Sequence, residues 1–162
     1  MKKKQQSSPL ERAIIRRAKA QDINAMAHIG ITAFSGFNND VLETISWMRS
    51  LHRAHGIYHY YVCDLDGVIA GYIGWQLHGG FGRTEASLEL EQIAIHPDHR
   101  GDGLGGKLIE ESRDDMLTWL STAPAQPMLA FCLGICRQRR IAFVFSIVPA
   151  RRSWHARAIR EA

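Results

Sequence analysis

The glycine-rich segment that follows an apolar strand in the middle of the chain constrains the fold more than any other stretch. Residues 88–95 alternate and then become apolar, which predicts a strand that passes into a buried sheet. Pro97 ends that strand, because proline cannot donate to a ladder. Four glycines follow within residues 101–106, and the apolar spacing predicts a helix that begins near Gly103. Free N–H groups at such a helix start favour an anion, and phosphate suits them best.

Two common nucleotide-binding patterns fit this segment only in part. Gly101, Gly103 and Gly106 have the spacing of the dinucleotide fingerprint, but the strand does not lead directly into them and no acidic residue follows at the required distance. The same segment fits a P-loop through Lys107, but the next position must be Ser or Thr to hold magnesium, and it is Leu108. A nucleotide-binding protein is therefore the third interpretation, and a glycine-rich turn without a ligand is the alternative to all of them.

A third pattern fits completely. Arg100-x-x-Gly103-x-Gly105 resembles the acetyl-CoA pyrophosphate loop of the GNAT superfamily of N-acetyltransferases, and the preceding residues 93–101 resemble that family's approach of strand and loop. The resemblance implies the α/β fold class, as a GNAT-like mixed, mostly antiparallel sheet with helices on both faces. It also implies transfer of acetyl from acetyl-CoA to an amine by direct attack.

The elements on both sides of the loop have the order that this resemblance implies. Asp66-Gly67 between two apolar runs is a strong hairpin signal, and Asp22 is a plausible cap or first-turn acid for the helix that it precedes. We expect strands at 13–18, 57–64, 68–77, 86–95 and 128–135, and helices that begin near 21, 41 and 103.

Length and composition indicate one domain of ordinary composition. The 162 residues are 46% hydrophobic and 22% charged, which is enough for a proper core. We expect a disordered leader at 1–11 and a single GNAT domain at 12–162, whose end at 136–162 is atypical. No apolar run reaches the length of a membrane span. Three cysteines without a pairing pattern indicate reduced thiols in a cytoplasmic protein, and the scattered histidines give no metal site.

The net charge of +4 conceals an asymmetry. Residues 126–162 contain seven arginines and one acidic residue, whereas residues 1–125 contain 13 basic and 15 acidic residues. A basic end invites a nucleic-acid interpretation. Aromatic residues do not interleave with these arginines as a stacking platform requires, so we do not expect nucleic acid as a partner.

The resemblance assigns the groups that would bind acetyl-CoA. Backbone N–H groups of the strand, at Ile93, Ala94 and Ile95, would face the thioester and the pantetheine. Loop amides would hold the pyrophosphate, and a lysine of the first helical turn would add charge near the phosphates or lie in solvent. The loop and lysine positions are Arg100, Gly101, Asp102, Gly103, Leu104, Gly105 and Lys107.

The transfer also needs a base, because a protonated amine is not a nucleophile. Family members place a catalytic glutamate on this strand, and Glu91 matches the position used by the small-amine acetyltransferases better than Glu89 does. These two glutamates lie two residues apart and hence on one strand face, whereas Gln92 would point to the opposite face. The structural alternative for either glutamate is a cross-strand ion pair with an arginine.

Aromatic residues near the two predicted N-terminal helices would line the acceptor end of the cleft. Phe34, Phe37 and Trp47 are the candidates, and their structural alternative is a place in the core or a lid. The acceptor would be an amine of a small molecule or a peptide, such as a polyamine, an aminoglycoside, an amino acid or a protein N-terminus.

The end of the chain departs from the family pattern. The family has an Asn and then a Tyr after the fifth strand, but no tyrosine follows Tyr72 and no glycine follows Gly134. The general acid is therefore unassigned, and a shifted reading frame is one hypothesis for residues 136–162. A last strand at 147–154, exchanged between subunits of a homodimer, is another. A catalytically impaired CoA-binding module, whose basic end contacts a partner, is the alternative function.

Overall fold

The structure, a computed structural model, describes residues 7–34, 40–78, 85–122, 128–133, 143–146 and 157–158. These residues form four α-helices and seven strands. The helices are α1 Pro9–Arg12, α2 Ile23–Ala33, α3 Val41–Arg53 and α4 Leu104–Thr122. The strands are β1 Ala13–Arg17, β2 Tyr58–Leu65, β3 Val68–His78, β4 Glu85–Ile95, β5 Met128–Leu133, β6 Phe143–Ser146 and β7 Arg157–Ala158. Each predicted element through β5 is present, with ends shifted by one or two residues.

The strands form one sheet in sequence order, β1 through β7. Strand β4 runs parallel to β5, and every other neighbouring pair is antiparallel. The β4–β5 pair is parallel because α4 carries the chain back across the sheet, as a parallel pair requires. This mixed and mostly antiparallel α/β sheet confirms the predicted fold class. No helix of the described ranges is long and apolar enough to cross a bilayer.

The sheet carries a layer of helices on each face, as predicted. Helix α4 covers one face, where Leu108 packs in a cluster with the fully buried Trp75. Helices α2 and α3 cover the other face, where Met26, Met48 and Val62 are buried together. Each such side chain contributes about 2 kcal/mol through removal of apolar surface from water. The two apolar layers therefore fix both faces of the central strands.

Local sequence signals set two of the connections. Asp66 and Gly67 both have positive φ, at 55° and 88°, which is the conformation of the tight turn that joins the β2–β3 hairpin. The Asp-Gly prediction is confirmed. The side chain of Asp40 accepts hydrogen bonds from the N–H groups of Leu42 and Glu43 at 2.7 and 3.0 Å, so it caps the start of α3.

Two N-terminal predictions need correction. The leader expected through residue 11 is ordered from residue 7, because Ser8 and Glu11 form a capping box that starts α1; residues 1–6 lie outside the described ranges. Asp22 is not a side-chain cap of α2. It is buried, and Arg16 donates to both of its oxygens at 2.7 and 3.1 Å. Burial raises the pKa of Asp22, but the hydrogen bonds from Arg16 and Lys19 outweigh burial and leave the pKa below its ordinary value.

The atypical end contributes strands to the sheet. β6 pairs with β5, and β7 pairs with β6. Residues 134–142, between β5 and β6, lie outside the described ranges. The alternative last strand at 147–154 also lies outside them.

A buried histidine joins α4 to β2. His59 is 5% exposed, its ring centroid lies 4.6 Å from that of Trp119, and its Nε2 has no hydrogen-bond partner among the described residues. Burial lowers the pKa of His59 to about 4, and the charges of Arg17 and His55 act in the same direction, while Asp115 opposes them. The ring is therefore neutral in the folded protein at neutral pH.

This histidine makes stability depend on pH. The unfolded chain binds a proton at His59 below a pKa of 6.5, whereas the folded chain does so only near 4. The unfolded state therefore binds more protons in that window, and stability falls as pH falls. Between pH 7 and pH 5, we expect the free energy of unfolding of the wild type to fall by about 2 kcal/mol more than that of His59→Gln. Urea unfolding at both pH values measures this difference.

The matched control is His28→Gln, which removes an exposed histidine from α2. Its loss of stability between pH 7 and pH 5 should equal that of the wild type. An equal pH-dependent loss in His59→Gln and the wild type would show that His59 is not held neutral by the fold.

Candidate active site

The glycine-rich loop joins the end of β4 to α4. Residues Pro97–His99 form a 3₁₀ turn, and Gly101 and Gly103 then adopt φ of +93° and +78°. These values lie in the region that side chains with a Cβ rarely adopt, so the loop conformation favours glycine. The Lys107 N–H donates to the carbonyl of Gly103, which leaves the N–H groups of Leu104 to Gly106 in the first helical turn without intrahelical acceptors. The loop thus has the geometry of an anion site.

An open groove lies beside this helix start. It has a volume of about 490 Å³ and is lined in part by Gly103, Gly106, Leu10 and Glu110. A Cβ placed on Gly106 would meet nothing within 4 Å. The helix start is therefore open on the side that carries these glycines. Asp102 is half-buried.

The two basic residues of the loop region are already engaged. Lys107 Nζ donates to the carbonyls of Leu10 and Ala13 at 2.9 and 2.7 Å, so it ties α4 to the junction of α1 and β1. Lys107 also lines the groove beside the loop, and its contribution to the charge near a phosphate stays a prediction. Arg100 Nε donates to the carbonyl of Ile95 at 3.3 Å and holds the loop against the end of β4. The free backbone N–H groups and the positive end of the helix dipole are the other groups at this helix start that favour an anion.

Strand β4 has one open edge next to the loop. It pairs with β3 from Ser87 to Ile95, whereas its recorded pairing with β5 ends at Leu90 and Leu133. Within the described residues, Glu91–Ile95 therefore have no strand partner on the β5 side. Ala94 is buried on the α2–α3 face of the sheet, and Ile93 and Ile95 pack on the α4 face. Their backbone is paired with β3, and no described residue pairs with it at the other edge.

A β-bulge interrupts β4 at Glu91. Gly74 of β3 pairs with Gln92, and the next residue, Trp75, pairs with Leu90, so Glu91 is the extra residue. The bulge places Glu91 and Gln92 together, since Gln92 Nε2 donates to Glu91 Oε2 at 3.1 Å. The prediction that Gln92 points to the opposite face is wrong, because the bulge breaks the alternation on which it rested. Glu91 is exposed.

Tyrosines surround the inner side of these two residues. The Tyr58 hydroxyl donates to Glu91 Oε2, and Gln92 Nε2 donates to the hydroxyls of Tyr58 and Tyr60 at 3.0 and 3.2 Å. Tyr72 donates to Gln92 Oε1 at 2.9 Å. The three tyrosines are no more than 3% exposed. They form the tyrosine cluster, which we define as Tyr58, Tyr60 and Tyr72.

Burial keeps the tyrosine cluster protonated. Burial raises the pKa of Tyr58 far above its ordinary value, and the proximity of Tyr60 and the hydrogen bond to Glu91 raise it further. Burial is also the largest cause of the raised pKa values of Tyr60 and Tyr72. These hydroxyls therefore act as donors at every pH at which the fold is stable.

Glu89 lies in a different setting from Glu91. It belongs to the part of β4 that is paired on both edges, with Gln76 on β3 and Cys132 on β5. Its Oε2 lies 2.7 Å from His78 Nε2. The expected arginine pairing is thus replaced by a histidine contact, and Glu89 has less access to the open edge.

The candidate acceptor aromatics lie on the α2–α3 side. Phe34 ends α2 and packs against the core of that face. Trp47 lies on α3 and is 47% exposed, which leaves an aromatic surface free to contact a ligand. Phe37 lies outside the described residues.

Sequence analysis missed the tyrosine cluster. Residues 58, 60 and 72 were assigned only as strand residues, and Gln92 was placed on the wrong face. The spacing of Tyr58 and Tyr60 by two residues indicates one face of β2, but nothing in the sequence shows that this face reaches Glu91. Among the described residues, no three His, Cys, Asp or Glu side chains are grouped so that they could hold a metal ion.

Comparisons with known proteins agree with this architecture. Residues 56–130 match the model for an acetyltransferase (GNAT) domain. An L-amino acid N-acyltransferase, MnaT of Escherichia coli (strain K12), is 31% identical over 114 residues, which cover 62% of this chain and 63% of that protein. The chain thus spans less than two thirds of the curated relative that it matches.

Two solved structures share the fold. An aminoglycoside acetyltransferase from an uncultured soil metagenomic sample, in complex with sisomicin, has a TM-score of 0.62 at 12% identity and covers 79% of this chain and 80% of its own. A ribosomal-protein-alanine N-acetyltransferase from Brucella melitensis has a TM-score of 0.56 at 19% identity, with 75% and 74% covered. Residues 56–130 thus match an acetyltransferase (GNAT) domain, and these two structures show that the chain shares their fold.

Proposed function

We propose that this protein transfers acetyl from acetyl-CoA to an amine by direct attack of the amine. One observation carries the proposal. The open edge of β4 runs from a carboxylate at a β-bulge, Glu91, straight into a helix start that is shaped by two glycines with positive φ. A base, a strand edge and an anion site thus follow one another within residues 91–106. This is the order in which an amine, a thioester with its pantetheine and a pyrophosphate would lie.

The loop would bind the pyrophosphate through its backbone. Amides from Arg100 to Gly105 are the proposed donors, and the glycines allow the phosphate oxygens to approach them closely. Lys107 is given no phosphate contact in this proposal, because two carbonyls already accept from its ammonium group. Its role is to hold the start of α4 in place.

The open edge of β4 would bind the pantetheine and the thioester. Backbone groups of Ile93, Ala94 and Ile95 are held on the β3 side, so their geometry is fixed before a ligand arrives. A ligand that pairs with this edge would extend the sheet. A fixed N–H directed at the thioester oxygen would stabilise the charge that develops there.

Glu91 is the proposed base. Its carboxylate takes the proton of the acceptor ammonium, directly or through water, and the free amine attacks the acetyl carbonyl carbon. A carbon–nitrogen bond forms, the carbon–sulfur bond breaks, and the sulfur leaves as the thiolate of CoA, which is then protonated. Glu91 is preferred to Glu89 because it is exposed at the open edge, whereas Glu89 contacts His78 in the doubly paired part of β4.

An L-amino acid is the first acceptor to test. The curated relative is named as an L-amino acid N-acyltransferase, and Glu91 and Glu89 would attract a cationic amine to this face. Phe34 and the half-exposed Trp47 are proposed to line the acceptor end. A polyamine, an aminoglycoside and a peptide N-terminus complete the screen.

The cytoplasm is the proposed location. Cys63 is a free, fully buried cysteine, and burial raises the pKa of its thiol to about 11. A thiol in this state is unreactive and needs no oxidising compartment. Acetyl-CoA is also a cytoplasmic co-substrate.

Acetyl-CoA binding tests the loop directly. We expect the wild type to bind acetyl-CoA with micromolar affinity in calorimetric titration and not to bind ATP or NAD. Gly103→Asp should weaken binding at least about fivefold, because a like charge near 4 Å from a phosphate costs roughly 1–4 kcal/mol. The positive φ of Gly103 adds backbone strain to the same variant.

Gly56→Asp is the matched control, because a Cβ at Gly56 meets nothing within 4 Å and its φ is not positive. It should bind acetyl-CoA like the wild type. Binding of ATP or NAD in place of acetyl-CoA by the folded wild type would overturn the assignment of the loop.

Glu91→Gln tests the base. The amide keeps the shape of the side chain but cannot take a proton, so we expect kcat to fall by about 10²–10⁴-fold. KM for acetyl-CoA should stay unchanged, because the loop and the β4 backbone are intact. Steady-state release of the CoA thiol with the best acceptor of the screen measures both constants.

Glu89→Gln is the comparison. It removes a carboxylate two positions earlier on the same strand, and its kcat should fall much less. A larger loss in Glu89→Gln than in Glu91→Gln would assign the base to Glu89 and refute the role given to Glu91.

A further inference from the structure

A tyrosine from β2 reaches across β3 to the proposed base on β4. Tyr58 pairs with Gln76 of β3, yet its hydroxyl donates to Glu91 Oε2 of β4. The ring passes over Gly74, where an added Cβ would collide with the Tyr58 hydroxyl and would lie 3.1 Å from Gln92 Cγ. The absence of a side chain at Gly74 therefore opens the path between the two outer strands.

We propose that Tyr58 is a positioning residue that fixes the carboxylate of Glu91 for proton transfer, an inference that rests on the base role proposed for Glu91. The bulge leaves Glu91 out of the regular strand pairing, so the backbone alone does not fix its side chain. The hydroxyl of Tyr58 and the amide of Gln92 both donate to one oxygen, Oε2. None of the described side chains donates to the second oxygen, which is left for the ammonium proton.

Gln92 ties this arrangement to the rest of the tyrosine cluster. Its Nε2 also lies 3.0 and 3.2 Å from the hydroxyls of Tyr58 and Tyr60, so its two hydrogens are shared among three acceptors, and its Oε1 accepts from Tyr72. The side-chain amide is thus held at both ends by buried groups, and it cannot turn without leaving a buried hydroxyl unpaired. Tyr58 and Gln92 therefore present Glu91 Oε2 with two donors in fixed directions.

Tyr58 is suited to donate throughout the working range. Because burial and the nearby Glu91 disfavour its phenolate, the hydroxyl keeps its proton while Glu91 exchanges its own. A donor that faces one carboxylate oxygen favours the ionised carboxylate, which is the form that accepts a proton. The hydroxyl thus acts through Glu91 and makes no contact of its own with the reacting atoms.

Tyr58→Phe is the test, because phenylalanine fills the same space without the hydroxyl. With acetyl-CoA and the best acceptor among the L-amino acids, spermidine and sisomicin, we expect kcat to fall about 10–100-fold. KM for acetyl-CoA should stay within about twofold, since the loop is untouched. The acidic limb of the pH profile of kcat/KM should move to higher pH, since the ionised carboxylate loses a donor.

Tyr61→Phe is the matched control. Tyr61 lies on the same strand, faces α4, and donates to the carboxylate of Asp115 at 2.6 Å. This variant also removes one tyrosine–carboxylate hydrogen bond, but on the other face of the sheet. Tyr61→Phe should keep the wild-type kcat and pH profile. If Tyr58→Phe also kept them, the proposal would be overturned.

The double variant shows whether Tyr58 acts through Glu91. In the Glu91→Gln background, where the base is already absent, adding Tyr58→Phe should lower kcat by no more than about a further twofold. Losses that multiply would show that Tyr58 acts independently. Gly74→Ala is a second route to the same result, because its methyl group displaces Tyr58 and should reproduce the pH shift with both side chains present.

Unfolding equilibria separate failure of this inference from failure of the proposed function. In the cycle of Tyr58→Phe, Glu91→Gln and the double variant, we expect coupling of about tenfold in the unfolding equilibrium constant. A wild type without acetyl transfer would refute the proposed function, whereas this coupling would still measure the Tyr58–Glu91 bond. Active wild type with no coupling would refute the positioning role alone.

Discussion

Among the described residues, strand β4 is paired with β3 along almost its whole length but with β5 only as far as Leu90, and the candidate site depends on this difference. A strand that is paired on one edge only keeps a defined backbone and still presents free hydrogen-bonding groups. The bulge at Glu91 lies at the point where the second pairing stops. The same strand then leads through the Pro97–His99 turn into the glycine loop. Base, open edge and anion site thus share one rigid support.

The two faces of the sheet serve different purposes. The α4 face is mainly apolar, and the buried hydrogen bond from Trp75 Nε1 to Ser112 Oγ at 2.8 Å satisfies both of its partners. The α2–α3 face combines an apolar layer with the hydroxyls of the tyrosine cluster. Buried hydroxyls need partners, and Gln92 supplies them while it also contacts Glu91. A requirement of folding and the placement of a carboxylate are therefore met by the same hydrogen bonds.

The sequence carries most of the information for the elements and the loop. Periodicity locates the helices and strands, Asp66-Gly67 specifies its turn, and the glycine spacing after Ile95 locates the helix start. These are local signals, in which each residue acts on its neighbours in the chain. The arginine-rich end, in contrast, does not predict strands β6 and β7, since their pairing with β5 depends on contacts that are distant in sequence.

The features that sequence analysis missed depend on such distant contacts. The bulge at Glu91 adds one residue to a strand, and a pattern with a period of two cannot show which residue is extra. The reach of Tyr58 to Glu91 depends on the pairing of three strands. The carbonyls that accept from Lys107 belong to α1 and β1, 97 and 94 residues away in the chain. In each case the sequence shows the residue, but it does not show which distant residue that side chain contacts.

The passage of the Tyr58 ring over Gly74 also limits how this protein can change by mutation. A side chain at position 74 collides with the tyrosine, but a smaller residue at position 58 would remove the obstacle. The two positions are therefore epistatic, and the order of substitution matters. A lineage that first loses the ring can later accept alanine at 74, whereas the reverse order passes through an intermediate with a displaced ring. Gly74 is thus a requirement created by another residue rather than by its own backbone, whose φ is not positive.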